Sequence, residues 1–240
     1  MTRPSGQRRS LSLAVNCDGF NERHCAGFSR LPLTLPMDQK KHWETIYRTK
    51  DVHTVSWFQP EARESLDLIT RFAPDRSAPI IDVGGGASVL ADDLLAAAYN
   101  DVTVLDVSET ALEISRQRLG DAAARVKWIA ADVRYAPLGD RAYTVWHDRA
   151  VFHFLTKPAD RQAYVAQVQR AVGPSGYVLV ATFAEDGPAT CSGLPVVRYS
   201  AESLHSEFGL SFRVVTSAHE DHHTPAGREQ SFLYCLCRRE

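Results

Sequence analysis

No stretch of this sequence is apolar over the roughly 18 to 20 residues that a membrane-spanning helix requires. We therefore expect no membrane-spanning helix and no membrane partner. The five cysteines are an odd number and form no Cys-x-x-Cys pair, so the sequence indicates neither a disulfide framework nor a zinc site. Free cysteines suit a reducing compartment, and we expect a cytoplasmic location.

The sequence also lacks a surplus of charge of either sign. Its 27 Lys and Arg residues are nearly balanced by 29 Asp and Glu residues, which gives a formal net charge of −2. Such a chain has no overall attraction for phosphate backbones, so a nucleic-acid partner is not expected. The length of 240 residues and the hydrophobic content of 44% allow one well-buried domain with a short appendage.

Residues 1–36 differ in composition from the rest of the chain. They are rich in Arg and Ser, contain few acids and show no helical or strand period. This pattern fits a disordered extension, residues encoded upstream of a true start at Met37, or an organellar transit peptide. We predict a disordered N-terminal extension over 1–36 and a single domain over 37–240.

After residue 37, two predicted helices precede an alternation of apolar strand patterns with helical patterns. Helices are predicted near 88–99, 108–119 and 160–172, and the turn signal Gly-Pro-Ser-Gly follows the last of them. Short apolar strands separated by helices are typical of βαβ units. We therefore predict an α/β fold with a Rossmann-like, doubly wound, mostly parallel sheet.

The last fifth of the chain breaks this alternation. Segments 211–220 and 229–239 both have strand patterns, and the polar stretch DHHTPAGR lies between them. This arrangement predicts a C-terminal antiparallel hairpin. Three histidines, His219, His222 and His223, lie at or near the predicted turn, where we expect exposure to solvent and no metal site.

Three consecutive glycines, Gly84, Gly85 and Gly86, follow the predicted strand IIDV and precede a predicted helix. A glycine turn at this position brings backbone N–H groups and a helix N-terminus against a ligand. Asp106 ends the next strand, where an acid accepts hydrogen bonds from ribose hydroxyls in nucleotide-binding sheets. The pattern predicts an adenosine-containing ligand, although a turn that serves packing alone would contain the same glycines.

A second acid, Asp132, ends the third predicted strand and is followed by Val133. At that position the carboxylate could accept a hydrogen bond from an adenine amino group, and the valine could cover the ring. An aspartate that only caps the following turn would have the same sequence pattern.

These features together resemble the class I S-adenosylmethionine-dependent methyltransferases. The resemblance covers roughly residue 37 to the end and depends on IIDVGGGAS, VLDVSETALEISRQRL, the Ala-Ala-Asp at 130–132, GPSGYVLVATF and the C-terminal hairpin. Members of this family have a seventh strand that runs antiparallel to the others. The resemblance therefore implies S-adenosylmethionine as the cofactor.

The resemblance also implies roles for individual residues. Asp82 and the three glycines would approach the methionine moiety, while Asp106 and Val107 would bind the ribose and adenine. Asp132 and Val133 would contact the adenine edge, and Asp148, at the end of the fourth strand, would face the methyl donor. The departure Ala87-Ser88, where many members have a further glycine, leaves the shape of the loop open.

The segment HWETIYRTKDVHTVSWFQP resembles a lid that some members fold over the cofactor, among them small thiol and metalloid methyltransferases and certain protein-lysine methyltransferases. Trp43 and Tyr47 would then enclose the sulfonium, together with Trp57, because aromatic faces attract cations. The alternative is that these rings only anchor the first helix.

The acceptor is expected to enter beside WHDRAVFHFLTKP, after the fourth predicted strand. The candidate functional residues there are His147, Asp148, Arg149 and His153. Of these, His153 is the candidate catalytic base because its ordinary pKa lies near neutrality. It could instead be a partly buried, hydrogen-bonded histidine between Phe152 and Phe154. The segment lacks the Asn- or Asp-Pro-Pro-aromatic pattern of amino-methylating DNA enzymes, which is a second reason to expect no nucleic-acid substrate.

We therefore predict transfer of a methyl group to a small-molecule acceptor by in-line displacement. The first alternative is a protein-lysine methyltransferase, since DRAVFHFL resembles a pattern in some of those enzymes. A more remote alternative is an NAD-dependent oxidoreductase, although no Tyr-x-x-x-Lys pair supports it. A cofactor-binding protein without catalytic activity would share the same fold.

Overall fold

The structure is a computed structural model that describes residues 39–240. The predictions for residues 1–36 lie outside the described residues. Seven strands form one sheet in the order β3-β2-β1-β4-β5-β9-β8. Their bounds are β1 Ile80–Val83, β2 Val102–Asp106, β3 Val126–Ala130, β4 Tyr143–Arg149, β5 Val172–Phe183, β8 Phe212–His223 and β9 Glu229–Arg239.

Among the described residues, five α-helices lie where the helical patterns predicted them, and a sixth, Ala201–Phe208, was not predicted. They are α1 Gln39–Thr49, α2 Arg63–Phe72, α3 Leu90–Ala96, α4 Glu109–Leu119, α5 Pro158–Ala171 and α6 Ala201–Phe208. A two-stranded ribbon of β6 Thr190–Cys191 and β7 Leu194–Pro195 interrupts the connection from β5 to α6. None of the helices in the described range is long and apolar enough to cross a membrane.

Strands β1 to β5 are parallel, and the predicted C-terminal hairpin is confirmed. The last strand, β9, lies between β5 and β8 and runs antiparallel to both. It is therefore the reversed strand of the sheet, as the family resemblance implied. The Rossmann-like α/β fold with a mostly parallel sheet is thus confirmed.

The predicted turn Gly-Pro-Ser-Gly lies inside β5 instead of before it. Val172 pairs with Tyr143 of β4, and the next pair joins Tyr177 to Val145. The residues between them form an irregularity in which Ser175 has a φ of +62°. The four residues do interrupt the regular backbone, as a turn would. Because residues before and after them pair with β4, however, Val172–Phe183 is one long strand.

The hairpin turn is shorter than predicted because β8 continues to His223. His222 is consequently a strand residue, and our expectation that it is exposed was wrong. Its side chain is buried, and its Nε2 lies 2.8 Å from the carbonyl oxygen of Ser56. His223, one residue later, points to the other face and is exposed, as expected.

Two apolar layers cover the two faces of the sheet. Residues that are neighbours in a strand belong to opposite layers, as Ile80 and Ile81 do in β1. Helices α5 and α6 cover one face, and α2, α3 and α4 cover the other. Strands β1 and β2 are buried along their whole lengths. Because they are parallel, their carboxyl ends meet at the same edge of the sheet.

The layer under α5 contains a buried polar chain. Trp146 Nε1 donates to the hydroxyl of Tyr164 at 2.8 Å, and this hydroxyl donates to Asp148 Oδ2 at 2.6 Å. All three side chains are fully buried. Tyr164 therefore ties helix α5 to strand β4 through two hydrogen bonds.

Replacing Tyr164 by Phe should lower the free energy of unfolding by about 1 to 3 kcal/mol, because Trp146 loses its acceptor and Asp148 loses a donor. Urea denaturation followed by circular dichroism measures this loss. Tyr135→Phe is the control, since Tyr135 is 71% exposed and its change should stay within about 0.5 kcal/mol. Equal stability of the two variants would contradict a structural role of the chain.

Candidate active site

An open cavity of about 800 Å³ lies at the carboxyl ends of β1, β2 and β4. A second cavity, of about 600 Å³, adjoins it beneath the glycine turn. Four residues border both cavities: Tyr47, Trp57, Gly84 and Arg149. The two cavities therefore lie side by side at the edge where α/β sheets bind ligands.

The glycine turn lies too close to the sheet for any side chain. A Cβ on Gly84 would be 2.0 Å from Val151 Cγ2, and Gly84 has a φ of +70°. A Cβ on Gly85 would be 2.2 Å from Asp82 Oδ2, and one on Gly86 would be 2.5 Å from Asp106 Oδ2. Packing within the protein therefore requires these glycines, as the alternative interpretation held, while Gly84 and Gly85 also border the cavities.

Asp106 ends β2 and lies on the cavity wall. Its Oδ1 accepts from the N–H of Ser108 at 2.8 Å, and its Oδ2 accepts from the N–H of Gly86 at 3.0 Å. Burial raises the pKa of Asp106 to about 6, although both hydrogen bonds act against this rise. The carboxylate is held in one orientation and keeps lone pairs for a ligand. Val107, its neighbour, also borders the cavity.

Asp82 lies in the floor of the second cavity, beneath the glycine turn. Its Oδ1 is 2.7 Å from His147 Nδ1, and His147 Nε2 is 2.8 Å from Ser65 Oγ. All three side chains are buried, while Asp82 Oδ2 has no hydrogen-bond partner. Ser65 was not predicted because nothing in the sequence marks this α2 residue as a partner of β4.

Asp132 and Val133 follow β3 and border the first cavity. The Asp132 carboxylate accepts from the backbone N–H of Arg134 at 3.0 Å and from its guanidinium, which holds the pKa of Asp132 low despite partial burial. Arg134 also binds Asp160 of α5. Asp132 thus caps its own turn, as the alternative interpretation stated, and its contact with an adenine stays a prediction.

The structure does not bring Asp148 to either cavity. Its oxygens accept from the N–H groups of Val151 and Phe152 and from the hydroxyl of Tyr164. Burial raises its pKa to about 6, and the side chain is completely enclosed. This placement does not fit the predicted catalytic role, because the carboxylate folds back onto the loop after β4.

His153 is also placed away from the cavity walls. Its ring packs edge to face against Phe154, and the N–H of Phe183 approaches its Nδ1 at 3.4 Å. Burial, with the positive charge of Arg149 nearby, lowers the pKa of His153 to about 3. The alternative interpretation, a buried histidine, fits this geometry, and a catalytic base does not.

The predicted lid residues form an aromatic cluster over the first cavity. Trp43 packs edge to face against Trp57, with ring centroids 5.6 Å apart, and against Phe154, at 5.1 Å. Tyr47 lies 6.2 Å from the Trp57 ring. The same rings border the cavity and anchor α1, so the two interpretations of the segment are compatible.

A contact that the sequence did not predict holds α1 to α4. Glu44 Oε1 accepts from the N–H of Glu109 at 2.8 Å, and its Oε2 lies 2.5 Å from the hydroxyl of Thr110. Glu44 therefore binds the first turn of α4, where the helix dipole favours an acid. This contact holds the lid over the Asp106 end of the cavity.

Comparison with known proteins agrees with this geometry. Residues 80–176 match the family model described as a methyltransferase domain. The chain is 30% identical over 165 residues to the ubiquinone/menaquinone biosynthesis C-methyltransferase UbiE of Methylobacterium nodulans, and the alignment covers 65% of this chain and 64% of that protein. It is 24% identical over 163 residues to the O-methyltransferase cnsE of Penicillium expansum, and that alignment covers 63% of this chain and 57% of the relative. The chain thus spans less than two thirds of the length of each relative.

Solved structures share the fold. The 1,6-didemethyltoxoflavin-N1-methyltransferase of Burkholderia thailandensis, with bound 1,6-didemethyltoxoflavin and S-adenosylhomocysteine, superposes with a TM-score of 0.67 and 22% identity over 87% of this chain and 92% of that one. A methyltransferase from Anabaena variabilis superposes with a TM-score of 0.66 and 15% identity, over 85% of this chain and 96% of that one.

Replacing Gly84 by Ala should destabilise the protein more than replacing Gly227, by at least about 1 kcal/mol. Both glycines have a positive φ, of +70° and +73°, but a Cβ clashes only at Gly84, while nothing lies within 4 Å of Gly227. Gly227→Ala is thus a control for the backbone conformation alone. Chemical denaturation measures both changes, and equal losses would show that the close packing of Gly84 against Val151 has no energetic weight.

Proposed function

We propose that this chain, which belongs to the class I S-adenosylmethionine-dependent methyltransferase family, transfers a methyl group from S-adenosylmethionine to a small-molecule acceptor. The observation that supports this most is the open cavity at the carboxyl ends of the strands, which has Asp106 on one side and aromatic rings on the other. Acids suit ribose hydroxyls, and aromatic faces suit a sulfonium.

The residues around the cavities fit this cofactor. Asp106 is oriented by Gly86 and Ser108 and keeps lone pairs that can accept from ribose hydroxyls. Asp82 Oδ2 is a buried acceptor without a partner beside the glycine turn, which suits an N–H donor such as an ammonium. Val107 and Val133 provide apolar surface for a planar base.

When bound, S-adenosylmethionine supplies a methyl group on a sulfonium whose leaving group is a neutral thioether. Since such a leaving group needs no protonation, the protein's task is to orient the two reactants and exclude water. Trp43, Tyr47 and Trp57 cover the site, and Glu44 holds their helix against α4. The buried Asp148 and His153 are not in a position to act as the base, so we no longer assign them a catalytic role.

Two observations favour a small acceptor over a lysine side chain. The relatives are named as O-methyl and C-methyl transferases, and the structural neighbour from Burkholderia thailandensis methylates a nitrogen of a small heterocycle. In this chain, α1 covers the cavity, so an acceptor on a protein surface would have to displace it. No comparison favours the protein-lysine alternative or the NAD-dependent oxidoreductase.

Calorimetric titration of the purified chain with S-adenosylmethionine, S-adenosylhomocysteine and NAD tests the cofactor. We expect saturable binding of both adenosyl ligands and no binding of NAD. Transfer of a labelled methyl group to a panel of small acceptors, compared with lysine-containing peptides, then tests the substrate class. Binding of NAD alone, or labelling of peptides alone, would refute this proposal.

Asp106 gives the binding a defined pH dependence. Because burial raises the pKa of Asp106 to about 6, this carboxyl group is ionised above pH 6 in the ligand-free protein and increasingly protonated below pH 6. A protonated carboxyl accepts hydrogen bonds poorly, so affinity for S-adenosylhomocysteine should fall by up to about tenfold for each pH unit below 6. Titrations from pH 5 to 8 measure this fall.

Asp106→Asn is the matched variant for this measurement. It should bind at least about fivefold more weakly at pH 8, which corresponds to about 1 kcal/mol, and its affinity should no longer change near pH 6. Thermal melting of the free variant checks that it remains folded. A folded variant with unchanged affinity would refute the ribose assignment.

A further inference from the structure

Arg149 stands at the junction of the two cavities. It ends β4, beside the fully buried Asp148, and its side chain is about 10% exposed. The guanidinium lies 4.1 Å above the centre of the Phe232 ring. It therefore carries a nearly buried positive charge into a site whose neighbouring wall consists of apolar and aromatic side chains: Trp43, Trp57, Val151, Phe154 and Leu155.

The hydrogen bonds within the protein use only part of this guanidinium. Nε donates to the Tyr234 hydroxyl at 2.8 Å, Nη1 to the Trp57 carbonyl at 3.3 Å and Nη2 to Glu220 Oε2 at 3.5 Å. The last two distances exceed the usual range, and a guanidinium has five N–H donors. Two N–H groups are thus free to bind a ligand, and two more are weakly engaged.

The carboxylate that faces Arg149, that of Glu220, is shared with other hydrogen-bond donors. Glu220 of β8 also accepts from the Tyr234 hydroxyl at 2.7 Å and from Gln59 at 2.8 Å. The charge of Arg149 also acts on the described side chains Tyr234, His153, His222 and Cys191, none of which is an anion at neutral pH. An anionic ligand would therefore complete the neutralisation of Arg149.

The described walls of the first cavity lack a side chain that could take a proton from an acceptor. Among the described residues that border the first cavity, Asp106 and Asp132 already accept from the protein, and both lie toward the predicted adenosine end. Burial raises the pKa of the Cys191 thiol to about 11 and that of Tyr47 still further, so both stay protonated. Stabilisation of an acceptor that is already ionised can replace a base.

We propose that Arg149 binds the methyl acceptor, and that the acceptor is a small aromatic molecule with an acidic hydroxyl, bound as its phenolate or enolate. This inference rests on the proposed methyl transfer and names the substrate class of the same site. The aromatic wall binds the ring, and the free N–H groups of Arg149 bind the oxyanion, as a guanidinium does in charge-assisted hydrogen bonds.

The transfer step balances without a further reactant. The hydroxyl loses its proton to solvent before or during binding, because the guanidinium stabilises the anion. An electron pair of the phenolate oxygen, or of the ring carbon beside it, then forms the bond to the methyl carbon. After attack by carbon, the ring hydrogen leaves as a proton to solvent and the oxygen regains a proton from solvent, which restores the aromatic ring. The carbon–sulfur bond breaks, and its electron pair remains on sulfur as a neutral thioether.

The probe for this inference is 4-nitrophenol, whose phenolate is yellow and whose neutral form is not. It is titrated against the full chain saturated with S-adenosylhomocysteine, over a range of pH. We expect its apparent pKa to fall by about one unit or more on binding, which is a tenfold preference for the phenolate. The matched probe 4-nitroanisole has no acidic hydroxyl and should bind at least about tenfold more weakly.

Three variants locate the effect. Arg149→Met should abolish the pKa shift of the probe and leave the affinity for S-adenosylhomocysteine within about twofold. Arg149→Lys should retain part of the shift, because it keeps the charge but not the paired donors. Glu220→Gln should increase the shift, because it removes the negative charge nearest to the guanidinium. Thermal melting shows whether each variant is folded, and Glu220→Gln tests the inference even if Arg149→Met does not fold.

The outcomes separate this inference from the proposed function. If the wild type does not bind S-adenosylhomocysteine, methyl transfer itself is refuted and the inference falls with it. If that ligand binds but 4-nitrophenol does not, or binds without a pKa shift, only the acceptor assignment is refuted. An equal loss of both affinities in Arg149→Met would show that Arg149 serves the cofactor and would also overturn the assignment.

Discussion

The close approach of the glycine turn to two buried carboxylates is the constraint on which the site depends. Asp82 and Asp106 end neighbouring parallel strands, so their side chains come to the same edge of the sheet. The turn passes directly over both, with the virtual Cβ positions of Gly85 and Gly86 only 2.2 and 2.5 Å from carboxylate oxygens. A side chain at either glycine would displace an acid, and the cavity would lose its polar end.

The other end of the site depends on a contact between distant parts of the chain. Helix α1 has only partly buried and exposed residues and packs over the cavity through its aromatic rings. Glu44 fastens it to the first turn of α4, directly after the strand that carries Asp106. The lid and the proposed ribose site are thus physically connected, because both depend on the start of α4.

The last three side chains of β4 differ in their surroundings: two are bonded within the protein, and the third lies at the proposed acceptor site. His147 and Asp148 face into the protein, where one binds Asp82 and the other ties the loop to α5 through Tyr164. Arg149, the next residue, borders both cavities. His147 also borders the second cavity, but both of its ring nitrogens are bonded within the protein, to Asp82 and Ser65. Arg149 is therefore the residue of the three that keeps N–H groups for an acceptor.

The amino-acid sequence by itself determined the alternation of helices and strands up to β5, the parallel sheet and the C-terminal hairpin, but not the β6–β7 ribbon or α6. These follow from hydrophobic period and turn residues, which act over short distances along the chain. It also predicted the wall residues Gly84 and Asp106, because the carboxyl ends of parallel strands bind ligands at the sheet edge. Val107 was implied by the family resemblance.

Only the tertiary structure decided which polar groups are free. Asp148 and His153 have the right chemistry at the right end of β4, but Tyr164, Phe183 and the loop amides enclose them. His222 is buried because β8 continues beyond its predicted end, to His223. Ser65 and Glu44 form hydrogen bonds with residues more than 60 positions away in the chain. Hydrophobic period and motif spacing carry no information about contacts between residues so far apart in the chain. In the folded chain, hydrogen bonds occupy the carboxylate of Asp148 but leave N–H groups of Arg149 for a ligand.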